Sequence, residues 1–133
     1  MKPITALILA ALPFTAIAQT GTKAQCDRLA KSADLQERYI AMEHVSGMGD
    51  DSAPRETNRR LRIQNALTAQ QSNLFMMAQL KCPMPDLVSS STGPDSKYYG
   101  EAVLCGIERQ RGNASAEACK IQNWTGKADP SAK

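Results

Sequence analysis

Four cysteines, Cys26, Cys82, Cys105 and Cys119, are the strongest restraint on how this chain can fold. Their number is even, and no two stand close enough for the C-x-x-C pairs of zinc, thioredoxin-like or haem-attachment sites. That pattern points to two structural disulfides, and hence to an oxidising compartment. Four cysteines allow three pairings, and helix geometry ranks them. Cys105 and Cys119 stand equally far before and after Gly112, so two antiparallel segments leaving a turn there place them level. Cys26 and Cys82 are centred on Pro54, a few residues from the middle of the first turn, and would staple the open ends of a longer hairpin. Level pairs can bring Cα atoms within the roughly 7 Å that a disulfide tolerates. The expected pairing is Cys26–Cys82 with Cys105–Cys119.

The start of the chain agrees on the compartment. Lys2 is followed by an apolar run, Ile4 to Leu12, then Pro13 and the small-x-small triplet Ala16-Ile17-Ala18. This is the order of a secretory leader cut after Ala18. The run is about half the roughly 20 apolar residues that span a bilayer, so no membrane anchor is expected once the leader is removed. The expected organisation is a cleaved leader at 1–18, one helical domain at 19–125 and a disordered polar tail at 126–133. The product would be secreted or periplasmic.

Loss of Lys2 lowers the formal net charge of +3 by one. A nucleic-acid binder carries a larger, one-sided basic field. Arg55, Arg59, Arg60 and Arg62 do cluster, but Glu56 sits among them and Asp50 and Asp51 precede them. No nucleic acid is expected as a partner. Large side chains are few (Tyr39, Phe75, Tyr98, Tyr99 and Trp124 beyond the leader), and cross-links commonly support so light a core.

Periodicity reads as all-α. Thr22 to Val45 carries Cys26, Leu29, Ala30, Ala33 and Ile40 on one face, with Leu35, Tyr39 and Met42 roughly opposite. That implies a helix buried on two sides, or a break near Ser32–Asp34. Ser46 to Ser52 is a turn rich in glycine and short polar residues. Pro54 to Lys81 is a long helix whose Ile63, Ala66, Leu67, Gln70, Leu74 and Met77 form one stripe. At about 40 Å it needs a partner of similar length, and Thr22–Val45 supplies one in a long antiparallel hairpin. A loop follows Cys82, with Leu87 and Val88 as anchors and Ser89, Ser90, Ser91 and Thr92 exposed. A third helix is expected from Asp95 or Ser96 to Arg111, burying Tyr99, Ala102, Val103 and Gly106. Gly112 then stops it, and a short fourth helix runs to Asn123. Trp124 is placed to fold back onto the core. The expected architecture is a long helical hairpin plus a shorter C-terminal one, disulfide-stapled.

No catalytic signature stands out. His44 is the single histidine, and its neighbour Glu43 does not share its helix face. No G-x-S-x-G or H-E-x-x-H motif occurs. Asp34, Glu37, Glu43, Glu101, Glu108 and Glu117 read as solvent-facing, so no carboxylate pair is selected. Met42, His44 and Met48 together could form a soft copper site, although methionine is an ordinary core filler. Asn113 and Asn123 each begin an N-x-S/T triplet. No cofactor is expected. These observations favour a non-catalytic binding protein of inhibitor, immunity, effector or envelope-adaptor type. The alternatives are a Met/His copper-handling protein and a small secreted hydrolase. The candidate partner-binding residues are Arg55, Arg59 and Arg62 on one helix face, and Leu87, Ser89, Ser90, Ser91 and Thr92 in the loop.

Overall fold

The computed structural model describes residues 20–46, 53–87 and 95–129. Among them the chain is all-helical: α1 spans Lys23–Ser46, α2 Ala53–Gln79 and α3 Tyr99–Gln110, followed by two 3-10 turns at Glu117–Cys119 and Ile121–Asn123. Residues 1–18, expected to be a leader, and most of the expected first turn and serine-rich loop lie outside the described residues.

α1 runs unbroken through Ser32–Asp34, and its two apolar faces have separate partners. Towards α2, Ile40 packs with Ile63 and Ala66, while Cys26 packs with Met77 and Cys82. These pairings run in opposite directions along the two helices, so the hairpin is antiparallel. Towards the C-terminal half, Ala41 and Val45 pack with Tyr98, Ala102, Cys105 and Trp124. α1 is therefore the central helix, and α2 has its main packing against α1 alone. The stripe Ile63, Ala66, Gln70 and Met77 is buried as expected.

Both expected disulfides are present, with Cα atoms 5.4 Å apart in Cys26–Cys82 and 4.7 Å apart in Cys105–Cys119. Covalent bridges of this kind belong to an oxidising, extracytoplasmic environment. Among the described residues no helix is long and apolar enough to cross a membrane. At the open end of the hairpin, the Gly21 amide donates to the Leu80 carbonyl at 2.8 Å. A Cβ at Gly21 would lie 2.9 Å from that of Leu80 and 3.2 Å from the Cys26 sulfur, so only glycine lets the chain pass there. α2 stops with Lys81 at φ 54° and the Cys82 amide donating to the Met77 carbonyl at 2.9 Å, a left-handed helix termination.

Three details differ from the sequence reading. The segment from Asp95 to Tyr98 is a turn, because the Ser96 hydroxyl accepts the Tyr98 amide (3.3 Å) and Tyr98 swings into the core. α3 therefore begins at Tyr99. The second arm of the C-terminal hairpin consists of two 3-10 turns broken at Lys120. Cys119 must reach Cys105 while Trp124 reaches the core, and its indole N–H donates to the Ala118 carbonyl at 2.8 Å. Finally, Gly126 does not begin a free tail. Residues 126–128 lie along α3 so closely that a Cβ on Gly100 would fall 1.9 Å from the Ala128 carbonyl oxygen.

Candidate functional site

The acidic residues depart furthest from expectation. Glu37, Glu43 and Glu101, read as solvent-facing, are 2%, 6% and 8% exposed. A helix packed on two sides has little surface left for solvent, and each of these carboxylates is engaged within the fold. Glu43 receives Arg62 at 2.9 Å. Glu101 accepts three backbone amides on one oxygen, from Thr125, Gly126 and Lys127 at 3.2, 2.7 and 3.2 Å. Gly126 has φ +73°, and the three successive N–H groups converge as an anion-binding nest. In effect α3 carries its own anion, which clasps the returning chain.

Asp34 organises a second polar cluster. The Tyr98 hydroxyl donates to one of its oxygens, Lys97 reaches the same oxygen at 3.2 Å, and Arg38 pairs with the other. Arg38 also donates to the carbonyls of Ile121 (3.1 Å) and Gln122 (2.9 Å), and lies 5.0 Å from the centre of the Tyr98 ring. Burial alone would raise the Asp34 pKa. Tyr98, Lys97 and Arg38 outweigh it and hold the carboxyl below its ordinary value. Burial and Asp34 together push the Tyr98 phenol up. Every group in the cluster serves to tie α1 to the C-terminal half.

The arginine face chosen from sequence is also committed internally. Arg59 clasps Glu56 with two bonds of 2.7 Å, and Arg60 reaches the same carboxylate at 2.6 Å. Arg59, then Arg60, holds Glu56 down at a pKa of about 2. Arg62 is spent on Glu43, and Arg55 has an interaction of its own. Of the loop candidates, Leu87 is half-buried, and Ser89, Ser90, Ser91 and Thr92 lie outside the described residues.

Met42 and His44 are not brought together. Met42 packs at the edge of the α1–α3 core, where Arg109 donates to its sulfur at 3.4 Å. His44, two residues on, projects to the other side of the helix, and its Nε2 is buried with no hydrogen-bond partner among the described residues. Burial, then the charge of Arg59, lowers its pKa. Met48 lies outside the described residues. Among the described residues, no group of three or more His, Cys, Asp or Glu side chains could hold a metal.

A surface cavity of about 400 Å³ adjoins Glu101, Leu104, Glu117 and Trp124. Its two carboxylates are engaged, Glu101 by the backbone amides and Glu117 by Lys120 (2.5 Å) and Asn123 (2.6 Å).

What sequence reasoning missed is the outer face of α2. From Ile63 to Leu80 the chain carries no charged residue, a stretch of about 27 Å of helix. One exposed row of the helix (Thr57, Leu61, Gln64, Asn65, Thr68, Gln71, Ser72, Phe75 and Gln79) is uncharged throughout, with exposed Arg60 and Arg62 on either side of Leu61 in the chain. Leu61 is 54% exposed and Phe75 68%, with Met76 beside them at 52%. No described element packs over this face. The signal was readable as the missing charges on the side of the helix opposite the apolar stripe. Comparison with protein families, with curated proteins and with solved structures finds no match.

Proposed function

We propose that this is an exported, non-catalytic binding protein, secreted or periplasmic, that engages a protein partner through the outer face of α2. The single observation that carries the reading is the uncharged, solvent-facing row on α2 with Leu61 and Phe75 standing out from it. Solvated helix faces normally carry charge. The cores of protein interfaces are depleted of charge and enriched in aromatic residues and methionine. Two further features support the role. The disulfides and the Asp34 cluster make a rigid scaffold, so the face is presented with little ordering left to do on binding. The arginine cluster is held in ion pairs, which moves the centre of the proposed surface from Arg55–Arg62 to Leu61–Phe75.

The test places a photo-crosslinking side chain at position 75 in the full chain, expressed in its own cells, with a control probe at exposed Arg111 on the opposite half of the molecule. A discrete protein adduct from position 75 and none from position 111 is the expected result. Equal labelling from both positions, or none from position 75, overturns the proposal.

A further inference from the structure

We infer that a second copy of this chain occupies the outer face of α2, antiparallel and related by a twofold axis at Thr68; this rests on reading that face as a docking surface. Leu61 and Phe75 stand two turns before and two turns after Thr68, and all three fall on one stripe of the helix. An antiparallel copy therefore sets Leu61 against Phe75 of the second copy at both ends of the contact. The positions between them match in the same register. Gln64 comes level with Gln71 of the second copy, and Asn65 with Ser72, each within about one residue's rise. These are uncharged donor and acceptor pairs. Thr68 itself meets its own equivalent, and its hydroxyl is already satisfied by the Gln64 carbonyl at 2.9 Å.

Charge decides the direction. All charged residues of α2 (Arg55, Glu56, Arg59, Arg60 and Arg62) precede Ile63. A parallel pair would bring two arginine-rich ends together. The antiparallel pair sends them to opposite ends, where Arg60 comes level with Met76 of the second copy, and sets the uncharged stretch 63–73 against its own equivalent. Aligned on Thr68, the helices overlap from residue 57 to residue 79, about 33 Å, most of the length of α2. A self-complementary patch of this kind is what a twofold interface requires. Contacts so long and nearly parallel are typical of helices crossing near 20° with axes roughly 8–10 Å apart.

The experiment uses the full-length oxidised chain. A Thr68→Cys variant, mildly oxidised after purification, should form an intermolecular disulfide, since the two positions meet within the roughly 7 Å Cα limit. A Ser72→Cys variant should not, because its equivalents lie about 12 Å apart along the axis. In sedimentation velocity the unmodified chain should show a concentration-dependent dimer. Phe75→Asp should weaken that dimer at least about tenfold while the helical circular dichroism is unchanged. A chain that is monomeric at every concentration, or Ser72→Cys cross-linking as readily as Thr68→Cys, overturns the inference. A monomer whose position-75 photoprobe captures a protein of different mass defeats the second copy but leaves the docking face standing. A monomer with no adduct defeats both.

Discussion

Replacing each disulfide in turn by a pair of alanines should destabilise the fold by amounts set by loop length. Cys26–Cys82 closes a sequence separation of 56 and Cys105–Cys119 one of 14. Loop-closure entropy gives about 4.2 kcal/mol for the first and about 3.0 kcal/mol for the second at 25 °C. Both are large beside the roughly 5–15 kcal/mol that holds an ordinary domain together. All four cysteines are at least half-buried, so alanine leaves no polar group stranded. Urea titration followed by helical circular dichroism measures the loss, and Trp124, the single tryptophan, reports on the C-terminal half separately. Without Cys26–Cys82, amide exchange should rise first at Gly21 and Leu80, while the Ile40–Ile63–Ala66 cluster next to the turn holds longest. Without Cys105–Cys119, the 3-10 turns should loosen and the Trp124 emission shift to the red before the long hairpin melts. If the short loop proves the costlier one to lose, or if neither loss exceeds 1 kcal/mol, the cross-links do not act by restraining the unfolded chain, and the stapled-hairpin argument fails.

Lys81→Gly should stabilise the protein by about 1 kcal/mol in the same titration, because Lys81 occupies the left-handed region at the end of α2. His44 gives a pH dependence with a definite sign. Its folded pKa lies below the ordinary 6.5, so on acidification the unfolded chain binds the proton first and stability falls as pH drops through 6.5. Urea midpoints between pH 7.5 and 5 should show that slope, and His44→Gln, which removes the single histidine, should flatten it. Glu101→Gln keeps the shape of the side chain but removes the charge that the three amides face. It should cost about 1–3 kcal/mol, with faster hydrogen exchange at Thr125, Gly126 and Lys127. Unchanged exchange there would mean that the clasp does not hold the returning chain.

The elements and cross-links of this protein were legible in the residues themselves. The 3-4 stripe from Ile63 to Met77 marks a helix whatever it packs on, and cysteines placed symmetrically about a turn meet when the arms run antiparallel. Both are consequences of chain geometry at short range. Only the tertiary structure decided which surfaces are inside. Periodicity assigns Glu37, Glu43 and Glu101 to a polar face, but it cannot say that α1 has neighbours on two sides or that a nest of amides waits for Glu101. The same arrangement leaves α2 outermost, so its far side lies open to solvent, while the exposed Arg60 and Arg62 beside it are paired with Glu56 and Glu43. Burial depends on where the other helices lie, and a local pattern carries no record of that.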